Sequence, residues 1–231
     1  MNPRYAIYFA PEKNSRWRKF GAGWLGRDEH DSSRLPQAAQ GSLSAEQRVT
    51  ITQEPARYGF HATLKAPFHL TPEHTEDDLS RRLNALASTL RPVPLGAMRV
   101  TALGNFVALV PAAEPPGLRA LANACVTDLD AFRAPLQDED RQRRLASQLD
   151  QRQLELLALY GYPHVMDRFR FHMTLTGPLE PAMASRVIDA VTDQVTQLNT
   201  TEPLCLDRLC LFVERGSGAP FHRILDLRLH A

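Results

Sequence analysis

A chain of 231 residues with 43% hydrophobic and 23% charged side chains is long enough to bury a core without covalent staples. Its 27 basic and 26 acidic side chains leave a net charge of +1, which speaks against long-range capture of nucleic acid or of a membrane surface. Cys125, Cys205 and Cys210 form no CxxC pair, and no apolar run matches a signal peptide or a membrane span, so the expectation is a cytoplasmic protein without disulfides.

Arg4 to Ala10 reads as a strand ended by Pro11. Residues 12–57 are polar and interrupted by glycine and proline, too long for a structureless connector, and are expected to hold short helices and a site-shaping loop, a candidate lid. Tyr58 to Lys65 reads as a second strand. Leu79, Leu83, Leu86 and Leu90 then mark one face of a helix over 76–90, with Thr75 as its N-cap. Strands follow over 100–103 and 105–110, and Pro111 to Gly117 forms a turn-rich link. A helix over 118–132 and a longer one over about 138–160 come next, the latter stopped by Gly161 and Pro163. Phe169 to Thr176 reads as a strand and about 181–198 as a helix. Strands over 204–214 and 221–229 close the chain as a hairpin. The mixture predicts an α+β fold with mostly antiparallel sheets.

One internal repeat carries chemistry. Residues 60–67 read Phe-His-Ala-Thr-Leu-Lys-Ala-Pro, and residues 171–178 read Phe-His-Met-Thr-Leu-Thr-Gly-Pro. A single His-x-Thr means little, whereas two copies in matching strand-like surroundings, one in each half of the chain, point to a shared site. On a strand, residues two apart share a face. His61 and Thr63 therefore share a side, which extends to Lys65; Arg170, His172, Thr174 and Thr176 share another. Two such strands would bring two imidazoles and two hydroxyls together across a cleft. One imidazole would serve as base and the other as acid. Thr63 and Thr174 would donate to phosphoryl oxygens, and Lys65 and Arg170 would supply positive charge. Tyr58 lies on the opposite parity unless a bulge near Gly59 turns it inward.

The paired motifs resemble the two-histidine phosphoesterase superfamily, which includes cyclic nucleotide and RNA 2′,3′-cyclic phosphodiesterases. The wider context of residues 4–11, 24–28, 57–68, 161–163 and 169–177 resembles the bacterial branch associated with phosphonate-utilisation operons. The resemblance implies a single two-lobed domain over 1–231, with two pseudo-symmetric sheets, helices outside and the motifs facing a central groove. It implies His61 and His172 as the acid–base pair and Thr63 and Thr174 as phosphate-binding hydroxyls. It also marks Arg16, Trp17, Trp24 and Arg27 as candidates for substrate contact.

The resulting expectation is a phosphoric diester hydrolase, a metal-independent cyclic phosphodiesterase acting on a small phosphorylated sugar or nucleotide in phosphonate metabolism. RNA 2′,3′-cyclic phosphate end processing is the weaker alternative, since it calls for a basic track beyond the groove and the near-zero net charge offers little support for one. A phosphate-ligand sensor without catalysis is the alternative from another class. No cofactor is expected. His69 with His74, and Cys205 with Cys210, lack zinc spacing, so no metal is expected either. His164 reads as a surface or structural residue, and Asp138 to Arg144 as a solvated first helical turn.

Overall fold

The computed structural model describes residues 3–145 and 148–230. Its strands are β1 (Arg4–Phe9), β2 (Ala62–Phe68), β3 (Val93–Pro94), β4 (Met98–Leu103), β5 (Phe106–Pro111), β6 (Met173–Thr174), β7 (Cys205–Leu206), β8 (Arg208–Glu214) and β9 (His222–Arg228). Its helices are α1 (Arg16–Leu25), α2 (Ala45–Ala56), α3 (Glu76–Ala87), α4 (Leu118–Asp128), α5 (Asp138–Leu145), α6 (Gln151–Tyr160) and α7 (Pro181–Thr201). Seven strands form one sheet in the order β4-β5-β6-β2-β1-β8-β9, and β3 pairs with β7 apart from it. Neighbouring strands are antiparallel throughout, so the α+β expectation holds. The two halves of the sheet meet at β6 and β2, where Ala62 pairs with Met173.

Alternation along the strands gives the sheet two different faces. Tyr5, Ile7 and Phe9 point with Ala62, Leu64, Leu109, Met173 and Leu211 into the main core, which residues of α1, α3, α4 and α7 fill from the other side. Ala6 and Tyr8 point the opposite way, beside Cys210, Phe212 and Phe221. Capping boxes open α2, α3 and α6. Thr75 accepts from the Asp78 N–H and closes a capping box, as its place in the sequence predicts. Gly26 and Gly161 take left-handed conformations, at φ 69° and 70°, to end α1 and α6.

The 12–57 segment does hold helices, but α1 is part of the scaffold rather than of a lid. Trp17 and Trp24 are fully buried, and the Trp24 indole N–H donates to the Leu175 carbonyl at 2.8 Å. On the same helix, Phe20 meets Phe60 edge-on. One helix thus braces the residue before His61 and the residue after Thr174.

Several elements differ from expectation for identifiable reasons. The helix expected over 138–160 is two helices; Asp150 caps α6, accepting from Gln153 N–H at 2.8 Å, and residues 146 and 147 lie outside those described. Leu145 and Leu159, apolar residues at the ends of α5 and α6, are exposed. The helix over 118–132 ends at Asp128, followed by a 3-10 turn over Asp130–Phe132. The strand over 169–176 shrinks to Met173–Thr174. There the Val107 carbonyl accepts from both Leu175 and Thr176 N–H, and the Val107 N–H donates to the Thr176 hydroxyl at 3.0 Å, which breaks the regular ladder.

Gly21 of α1 packs so tightly on Phe60 that an added Cβ would lie 1.9 Å from its Cγ. Gly21→Ala gains helix propensity and should nevertheless lower stability by about 1–3 kcal/mol through overpacking. A urea titration checks this; an unchanged or raised midpoint would show that α1 is free to move off the motif.

Candidate active site

Antiparallel register decides how the two motifs meet. With Ala62 opposite Met173, the neighbouring positions place His61 across from Thr174 and Thr63 across from His172. Each imidazole therefore lies beside the hydroxyl-bearing residue of the other copy, related by a local twofold through the Ala62–Met173 pair. β1 and β5 flank this centre, with Tyr8 paired to Thr63 and Ala108 paired to Thr174.

The two histidines are held by the same device. Nδ1 of His61 lies 2.9 Å from the Gly59 carbonyl, and Nδ1 of His172 lies 2.9 Å from the Arg170 carbonyl. A carbonyl only accepts, so each Nδ1 carries the proton and each Nε2 presents a lone pair while the ring is neutral. The Thr63 hydroxyl lies 3.3 Å from Nε2 of His61. Tyr8 stacks on the His61 ring with centroids 3.8 Å apart, and Phe106 approaches His172 at 5.8 Å. Burial disfavours the imidazolium at both positions. It pushes His61 down to about 4, the Gly59 carbonyl opposing the shift and His172 adding to it. His172 is also lowered, by burial first.

A cleft of about 650 Å³ opens over this centre, within the range of small-ligand sites. His61, Thr63, Thr174, Thr176 and Tyr58 line it. Tyr58 faces inward because Gly59, at φ 80°, reverses the chain before β2 begins; its ring stacks on Phe221 at 5.2 Å. The Thr176 hydroxyl accepts from Val107 N–H, so it is tied to β5.

Lys65, Arg170 and His172 are not among the lining residues; His172 adjoins the cleft through Phe106, which lines it. The β1–β2 register shifts between Tyr8–Thr63 and Ile7–Lys65, and the irregularity reverses the parity on which Lys65 was placed. Its ammonium donates to the Val126 carbonyl at 3.0 Å and to Asp130 at 3.2 Å, and burial pulls its pKa down to about 8. Arg170 is exposed and serves His172 through its backbone carbonyl. Trp17, Trp24 and Arg27 are buried away from the cleft; Arg27 donates to the carbonyls of Ala56, Arg57 and Phe221.

Among the lining residues that the sequence reading did not assign to the site are Arg4, Arg144, Tyr162 and His164. Arg4 shares the parity of Tyr8 on β1 and was legible from it. Arg144 belongs to the run read as a solvated turn, and its guanidinium lies 4.9 Å from the Tyr162 ring. His164 is exposed, as expected of a surface residue, and also lines the cleft. Among the described residues, Asp28, Glu29 and His30 have metal-ligand spacing, but they do not line the cleft. Arg18 pairs with both carboxylates and Arg223 with Glu29, so the cluster already has cationic partners.

A family profile described as "Protein of unknown function (DUF1045)" matches residues 63–222, which include Thr63, His172 and Thr174. The chain belongs to the DUF1045 family. It is also 36% identical over 224 residues to a ribose 1,5-bisphosphate phosphokinase PhnN of Janthinobacterium sp. (strain Marseille), covering 94% of this chain and 49% of that protein. A protein of the same name from Laribacter hongkongensis (strain HLHK9) is 33% identical over 222 residues, covering 94% and 50%. The chain thus spans about half the length of the curated relatives it matches. The PhnN name supports the phosphonate-associated branch. The name phosphokinase denotes a phosphoryl transferase and overturns the expectation of a phosphoric diester hydrolase for this DUF1045 chain. No helix among the described residues is long and apolar enough to cross a membrane.

The depressed histidine has a stability consequence. In the unfolded chain His61 titrates near 6.5 and in the fold near 4, so its neutral form is the one folding favours. That contribution is complete above pH 6.5 and is lost as pH falls from 6.5 through 4. Melting temperature should drop over this window, and His61→Asn should remove on the order of 1–3 kcal/mol of the acid sensitivity. An identical pH–Tm curve for the variant would show that the imidazole is not desolvated.

Proposed function

We propose that the cleft of this DUF1045 chain performs acid–base-assisted displacement at phosphorus on a small phosphorylated sugar or nucleotide, cyclic phosphates included, in phosphonate metabolism. The observation that carries this reading is the Ala62–Met173 pair, whose register sets His61 across from Thr174 and Thr63 across from His172, with both imidazoles anchored through Nδ1. The resemblance to two-histidine phosphoesterases points the same way, as does the phosphorylated ribose in the relatives' names.

His61, held neutral by burial, takes the proton from the attacking hydroxyl through Nε2. The new O–P bond forms as the opposite P–O bond breaks, and the leaving oxygen takes a proton from His172 in its imidazolium form. Thr63 and Thr174 donate to the nonbridging oxygens, whose charge grows in the transition state. A phosphate dianion in the cleft favours the imidazolium of His172, which burial alone opposes. The charge is stabilised by side chains, and the proposal assigns no step to a metal.

Phosphorus NMR on a panel of phosphorylated riboses, cyclic and acyclic, with and without ATP, tests this proposal. His61→Ala and His172→Ala should each cut turnover by roughly 10²–10⁴-fold with the fold retained. Undiminished turnover in either variant would reject the two-histidine mechanism. The kcat/KM profile should be bell-shaped, with its acid limb near the His61 value of about 4 and its alkaline limb set by His172, below the ordinary 6.5. An alkaline optimum would exclude this division of roles.

A further inference from the structure

The cleft holds two groups of residues that could each receive an anion. The two-histidine centre is one. The other lies along β1, where Arg4, Ala6 and Tyr8 share a face. Tyr8 is level with Thr63, so Arg4 lies four residues further along the strand, about 13 Å away between Cα atoms. Arg144 of α5 lines the same cleft, its guanidinium over the Tyr162 ring.

The carboxylates nearby leave these arginines a specific charge balance. Arg4 and Arg57 share the buried Glu214, two cations on one anion. Asp140 stands one helical turn before Arg144, lines the cleft with it, and is close enough to Arg4 to favour its charged form. A carboxylate of the chain itself therefore faces the place where a ligand anion would sit beside Arg4. Guanidinium forks match phosphate oxygens in geometry as well as charge, whereas the two-histidine centre offers hydroxyls and imidazoles for a reacting phosphoryl group.

We propose that Arg4 and Arg144 form a second phosphate seat in the cleft, which takes the remote phosphate of a sugar phosphorylated at both ends while the His-Thr centre takes the reacting one. This deepens the proposed function and rests on it. Asp140 holds the seat in the unliganded protein, and the remote phosphate displaces it. Because α5 carries both Asp140 and Arg144, binding and the repositioning of this short helix are coupled. The seat also gives the cleft a direction: a sugar with one phosphate takes the His-Thr centre, and a sugar with two is drawn across both.

Calorimetric titration with ribose 5-phosphate and ribose 1,5-bisphosphate tests the seat. The wild-type protein should prefer the bisphosphate by at least about tenfold. Arg4→Met and Arg144→Met should each weaken bisphosphate binding by about 10–100-fold, the scale of a lost charged hydrogen bond, and bring the two ligands close together. Asp140→Asn should tighten the bisphosphate by about 3–10-fold, because the competing carboxylate is gone. Arg144 lies on a short helix at the cleft rim, so its variant keeps the test decisive if Arg4→Met unfolds the protein. Thr63→Val provides the control for the reacting centre and should weaken both ligands. A preference that survives Arg144→Met, or weaker binding after Asp140→Asn, overturns the seat alone when Thr63→Val still weakens both ligands. Binding of neither ligand to the wild-type protein overturns the phosphosugar reading, and the seat with it.

Discussion

The backbone pairing of Ala62 with Met173 joins two half-sheets whose own neighbours lie elsewhere, and the geometry of the cleft follows from it. Shifting that register by one residue would break the crosswise relation of imidazole and threonine across the seam. The sheet alone does not secure so short a pairing, since β6 contributes two residues. α1 supplies the missing constraint. Its Phe20 and Gly21 press on Phe60, and Trp24 holds the Leu175 carbonyl, so the register is clamped from the core side by side chains remote in sequence from β6.

The electrostatics of the centre follow from the same enclosure. Imidazoles on a strand beside Tyr8 and Phe106 are short of water and are easier to keep neutral than charged. Tying each Nδ1 to a carbonyl two residues back sets ring orientation and tautomer without recruiting a carboxylate. The centre thereby keeps two imidazoles uncharged beside the cleft. Positive charge is kept apart, on guanidiniums along the cleft wall.

Period-two alternation and the repeated Phe-His-x-Thr-Leu pattern made the fold class and the His-Thr core of the site legible in the sequence. Strand parity also sufficed to find Arg4, had β1 been read with the same care as the motif strands. It failed at Lys65 because a register shift between Thr63 and Lys65 lies inside the strand, and no local composition marks it. Tyr58 reaches the cleft on the condition the sequence reading attached to it, a departure from regular strand geometry at Gly59, which turns the chain before β2 starts. Arg144 and His164 were out of reach: they arrive on α5 and on the segment after α6, whose positions depend on the tertiary packing of Leu156, Val126 and Val165. The chemical class was the least legible of all, because acid–base pairs at phosphorus serve more than one kind of acceptor.

The strand order also dictates how the molecule comes together. β1 lies between β2 and β8, and β2 between β1 and β6, so during synthesis β1 waits for residues 208–214 and β2 waits for residues 173–174. Until then the growing chain carries two open strand edges with Tyr8 and Trp24 exposed beside them. Such edges invite pairing with other chains, and loop closure over these distances is slow. Early formation of α1 against Phe60 covers part of that apolar surface from within the N-terminal segment. The helix that later braces the two His-x-Thr motifs would then first act as a shield for a half-built sheet.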